Sequence, residues 1–168
     1  MKQLRTLLIA SIVFLSAQTI NAQAKTAHVD VTEVMTKMPA VIDAQNQLKK
    51  LSETYDKDYK TMVDEYQAKI KKYDAEAATA TDAVNQTRQV EVQDMIKRIN
   101  DYKENAQSDL GKKEAGLMKP ILEKIRTSMK KVAKEKGYQY LLNSSDSNVV
   151  LMAEGPDLTA DIKKDLGF

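Results

Sequence analysis

The chain has no cysteine and no tryptophan, one histidine, three prolines and five glycines in 168 residues. Without cysteine there is no disulfide, no thiolate metal site and no thiol nucleophile. One histidine cannot build a multi-histidine metal centre. No glycine-rich phosphate loop and no metal-spaced ligand motif occurs anywhere. Carboxylates are plentiful, but they alternate with lysines at helical spacing, the pattern of a solvated helix face. The chain is therefore read as a non-enzyme that needs neither a cofactor nor a metal. Long apolar runs are missing too: the longest, Leu7 to Ala17, is well short of the roughly 20 residues that span a bilayer.

That short run has a definite meaning at its position. Lys2 and Arg5 precede it, and small and polar residues follow through Ala22-Gln23-Ala24. This is the layout of a secretory signal peptide over residues 1–24, with cleavage after Ala24 or Ala22; retention as a membrane anchor is the alternative. An exported chain without cysteine suits the periplasm. Residues 1–24 hold two basic and no acidic side chains, so the mature chain carries 24 of each sign and no net charge. The charge is segregated: residues 111–140 hold nine basic and three acidic side chains. Nothing in a neutral mature chain points to nucleic acid.

What the chain has in abundance is helical rhythm. From Leu48 the apolar positions fall at Leu51, Tyr55, Tyr59, Met62, Tyr66, Ile70, Tyr73 and Ala77, in steps of three and four. The pattern repeats every eleven residues, close to the period of a straight helix. A second periodic stretch runs from Val84 to Val132, with Val92, Met95, Ile99, Tyr102, Ala106 and Leu110 on one face. The two stretches imply an antiparallel hairpin with its tip near residues 77–83. A helix from Pro39 to Ala78 would be roughly 60 Å long. A compact globule of this mass is only about 35–40 Å across, so the hairpin must project.

The ends of the chain read differently. Thr26 to Val31 alternates apolar with polar residues, as a half-buried strand does. Thr32 to Met38 fits one or two helical turns, and Pro39 suits the first position of the long helix. Gly111, Gly116 and Pro120 arrive together in the return helix, and a bend is expected at Pro120. Strands are expected over 138–142 and 148–152, then a short helix after Pro156. The fold class is thus α+β, mainly α. A helical arm, 39–119, is inserted into a small body of residues 25–38 and 120–168.

The order of these segments resembles the Skp family of periplasmic chaperones, also called the OmpH family. The resemblance is carried by Ala27 to Val34, the helix entry Met38-Pro39-Ala40 with Ala44, Gln45 and Leu48, and Lys119 to Ile125. It continues through Val132 to Tyr138, Leu141 to Ser145, and Asp157 to Asp161. It implies a homotrimer whose strands join in a barrel-like body, with Ala27, Val29, Val31, Tyr140, Leu142, Val149 and Leu151 as the oligomer core. It also implies three arms enclosing a cavity that holds unfolded outer-membrane β-barrel proteins without ATP. Anionic lipid or lipopolysaccharide is a further contact in the family, at odds with a neutral mature chain.

Several residues have two readings. Tyr55, Tyr59, Tyr66, Tyr73 and Tyr102 offer broad apolar faces with a hydrogen-bonding tip, suited to adaptable contact with extended clients. They serve equally to pack one arm helix on the other. Lys112, Lys113, Lys119, Lys124 and Arg126 either line a cavity roof or form solvated surface. Gly111, Gly116 and Pro120 are read as a hinge. His28 and Asp30 share a strand face, an acid–base pairing or simply a structural hydrogen bond. A coiled-coil stalk or spacer of the cell envelope is the alternative to a chaperone.

Overall fold

The computed structural model describes residues 24–145, 150 and 152–168. The elements are β1 (Thr26–Val29), α1 (Val31–Lys37), α2 (Pro39–Glu76), α3 (Asp82–Glu135), β2 (Tyr140–Asn143) and α4 (Thr159–Leu166). The described residues are 76 % helix with one small sheet, an architecture that is α+β and mainly α. The 38 residues of α2 make a rod about 57 Å long, and the 54 residues of α3 one of about 81 Å.

Local signals explain the boundaries. β1 stops two residues short of the expected Val31, because the Asp30 carboxylate turns inward and accepts from Glu33 N–H at 2.8 Å. That N-cap starts α1, so Val31 sits in the first helical turn and not in the sheet. Pro39 opens α2, where its missing N–H costs nothing. The hairpin turn spans residues 77–81, and the Thr81 hydroxyl caps α3 on Val84 N–H. Gly137 takes φ +76° just past α3, which lets Tyr138 N–H reach back to the Ala133 carbonyl at 2.9 Å.

The helix does not end at Pro120, where a bend is expected. α3 runs unbroken through Gly111, Gly116 and Pro120. Pro120 lies on the solvent side, while its neighbours Met118 and Ile121 pack against the body. The Gly116 carbonyl, which loses its partner to Pro120, lies on exposed helix surface.

β1 and β2 pair in parallel, Thr26 opposite Tyr140 and Val29 opposite Asn143. A parallel pair needs a crossover, and here the whole arm is that crossover. On its other side, β1 meets the segment before α4: His28 N–H donates to Pro156 O, and Leu158 N–H to His28 O, both at 2.9 Å. β2 begins at Tyr140 and not at 138, since Gly137 and Tyr138 are spent on the helix cap. The expected strand over 148–152 falls mostly on residues outside those described, Val149 and Leu151 among them.

The body has one core. Eleven apolar side chains cluster there, from β1, α1, the start of α2, the end of α3 and α4. Val34 and Ile162 have no exposed surface. Ala27 and Val29, expected at an oligomer interface, are buried in this cluster of their own chain. Their apolar surface is already consumed, which leaves Tyr140 and Leu142 exposed on β2.

Candidate binding surface on the helical arm

The arm is two helices sharing one apolar stripe each. On α2 the stripe is Leu48, Leu51, Tyr55, Met62, Tyr66, Ile70 and Tyr73, all half-buried. On α3 it is Val92, Met95, Ile99, Tyr102, Ala106 and Leu110, of which Met95 and Ala106 are buried. A seam this narrow leaves much of both helices in water.

The five tyrosines divide by what their hydroxyls do. Tyr55 and Tyr102 pack edge to face, centroids 6.0 Å apart. Each hydroxyl reaches the other helix: Tyr55 donates to Asp109 at 3.4 Å, and Tyr102 to Asp58 at 3.2 Å. Burial and then the nearby Asp109 raise the Tyr55 pKa; burial and then Asp58 raise that of Tyr102. Both phenols stay neutral donors. Tyr73 donates to Glu91, which also pairs with Lys69, and that hydrogen bond is the main reason its pKa rises. The Arg88 guanidinium lies 4.7 Å above the Tyr73 ring and pairs with Glu76. These three tyrosines hold the arm together.

Tyr59 and Tyr66 make no such tie. Tyr59 is 38 % exposed and lines a notch of about 230 Å³ with Tyr55, Tyr102 and Leu110. Val84, Val90 and Ile96 are exposed towards the tip, 55 % for Val90. Val90 and Ile96 depart from the spacing of the seam, whereas Val84 lies eight residues before Val92 and opens the periodic stretch. Isolated large apolar residues on a thin arm were the available signal.

The basic region near the body is partly paired. Lys112 reaches Asp109 at 3.7 Å, and Arg126 reaches Glu123 at 3.1 Å, both on exposed surface. Lys113, Lys119 and Lys124 form no ion pair with a described residue. Gly111 and Gly116 stand in open helix surface, with no atom near where a Cβ would be.

His28 and Asp30 are occupied structurally. His28 Nε2 donates to the Gly155 carbonyl at 3.0 Å, and Nδ1 lies 3.2 Å from Ser144 Oγ. The ring therefore stitches β1 to segments on both sides, while Asp30 caps α1. No group of three or more potential metal ligands occurs among the described residues. No helix among them is long and apolar enough to cross a membrane.

A thin two-helix arm rising from a compact α/β base is the class of structure these features define. The chain belongs to the OmpH-like outer membrane protein family, which matches residues 25–166. A crystal structure of a protein described as an OmpH-like outer membrane chaperone, from Caulobacter crescentus CB15, has the same fold. It aligns at TM-score 0.75 over 86 % of this chain and 85 % of its own, with 13 % identity. No curated protein sequence matches the chain.

Proposed function

We propose that this protein is an exported, ATP-independent holding chaperone that keeps unfolded outer-membrane β-barrel proteins from aggregating in the periplasm. Membership of the OmpH-like family supports a chaperone role, and the arm supports the mode of action. The observation that carries the reading is the wet arm: a rod of about 57 Å with Tyr59, Val84, Val90 and Ile96 exposed along it. An unfolded barrel protein exposes alternating apolar strands that associate readily. Scattered apolar contacts bind such strands weakly and without sequence preference.

Three arms around one cavity multiply those contacts by raising the local concentration of binding groups. The trimer closes through the exposed side of the sheet, with Tyr140 and Leu142 in the contact. The arm flexes about Gly111, Gly116 and Pro120, so that one cavity fits clients of several sizes. Residues 1–24 direct export and are removed.

The test is light scattering after a urea-unfolded outer-membrane β-barrel protein is diluted into buffer with increasing mature protein. Suppression that saturates near three chains per client is the expected result. Absence of suppression at every ratio would overturn the reading and leave a stalk or spacer as the better one.

A further inference from the structure

A basic groove lies on the body, where α3 passes β2. It measures about 350 Å³ and has an apolar floor of Met129, Tyr138 and Leu141. All three are partly buried against the core cluster, so the floor is held in place. Arg126, Lys130 and Lys134 form one wall. At i, i+4 and i+8 of α3 they make a single ridge. Among the described residues no acidic side chain lines the groove. Arg126 has only the exposed Glu123 as a partner, and Lys130 and Lys134 pair with no described carboxylate.

The spacing selects the occupant. Cations four residues apart on a helix are separated by roughly 6 Å. Alternate residues of an extended strand are separated by about 6.6 Å, and they project to the same side. Three cations at helical spacing therefore match three carboxylates at every second position of a strand. The intervening side chains point the other way and meet the apolar floor. A lipid headgroup could pair with the cations but brings no alternating apolar side chains to Met129, Tyr138 and Leu141.

We propose that the groove between α3 and β2 binds a short extended segment of another polypeptide in which acidic and apolar residues alternate. Carboxylates would sit on the Arg126–Lys130–Lys134 ridge and apolar side chains on Met129, Tyr138 and Leu141. The site is on the body, so it stands or falls independently of client holding by the arm.

The probe is a fluorescein-labelled seven-residue peptide alternating Glu and Leu, titrated with the mature protein and followed by anisotropy. Binding that weakens with added salt is expected. Lys130→Glu with Lys134→Glu should lower affinity about tenfold or more. Lys130→Ala with Lys134→Ala should also weaken it, which guards against misfolding of the reversed pair. Lys113→Glu with Lys124→Glu makes the same charge change off the groove and should alter affinity less than about twofold. Equal loss from that remote pair, or equal binding of a Lys–Leu peptide, would overturn the proposal. So would binding to phosphatidylglycerol vesicles with none to the peptide.

Discussion

The body and the arm keep helices together by different chemistry. In the body, eleven apolar side chains make one cluster drawn from five elements, and Ile162 and Val34 are wholly shielded. Along the arm beyond Ala44, only Met95 and Ala106 are buried. The rest of the apolar seam is only half-buried, and tyrosine–carboxylate contacts with the Lys69–Glu91 and Arg88–Glu76 pairs tie across it. Two helices cannot dehydrate a seam that a third layer does not cover. The arm therefore opens locally at low cost, whereas the body is lost as one unit. A surface that must accept varied chains is better placed on the first than on the second.

The sharpest test of this contrast is truncation on each side of it. Ile162→Ala should cost about 2–5 kcal/mol, since it empties a site with no exposed surface. Urea unfolding followed by far-ultraviolet circular dichroism would show an earlier midpoint for the whole chain. Met95→Ala should cost about 2 kcal/mol or less. Its effect should appear as faster amide exchange confined to the arm. Equal and global losses from both substitutions would break the distinction.

Acid should separate the regions next. Glu33 accepts from Lys163 at 2.7 Å and from Lys37 at 2.9 Å, joining α1 to α4. Lys163, followed by Lys37, lowers its pKa from 4.5 to about 2. Lys131 also lowers that of Asp165, tying α3 to α4 at 2.5 Å. A carboxylate with a depressed folded pKa contributes stability above its unfolded value and loses it as pH falls through the folded one. The clasp on α4 should therefore weaken between about pH 4.5 and pH 2. Amide protection in α4 followed over that interval tests this, and Glu33→Gln should flatten the dependence. Glu91, lowered chiefly by Lys69, gives the arm a smaller share of the same behaviour.

How far the sequence carried can be judged against these parts. The arm was legible because a repeat of three and four residues has one structural solution, and Tyr55, Met95 and Ala106 fall on the seam as the period requires. The body was legible in order but not in its edges. Asp30 looked like the polar position of a strand, yet its carboxylate caps α1, a choice made by three residues of local geometry. Pro120 sits inside α3 without ending it, flanked by Met118 and Ile121 packed on the core. Alternation at Ala27 and Val29 showed that one face is covered; α1, α3 and α4 supply that cover from distant sequence. The α3–β2 groove was invisible, since it joins Lys130 to Leu141 only once the helix cap at Gly137 is formed.

The junction between the regions offers a finer test. Gly116 is helical and has open space where a Cβ would be, so Gly116→Ala should add about 1 kcal/mol of helix stability. If the arm flexes there, the same change with Pro120→Ala should narrow the tip-to-body distance distribution between paired spin labels. An unchanged distribution would place the flexing elsewhere and leave α3 a stiff rod.

The smallest expected change in stability carries the most functional information. Tyr59 is 38 % exposed and makes no hydrogen bond across the arm. Tyr59→Ala should therefore move stability by no more than about 0.5 kcal/mol. Tyr55→Phe with Tyr102→Phe keeps both rings but removes two cross-helix donors, and should cost about 1 kcal/mol in total. Client affinity should respond in the opposite order. Tyr59→Ala removes a ring that faces solvent and weakens binding of an unfolded barrel protein, while the double phenylalanine variant leaves it nearly unchanged. If the double variant loses more affinity than Tyr59→Ala, the arm binds through its seam and must open to do so. The structural tyrosines would then be the contact residues as well, and the division between holding the arm and holding the client would fail.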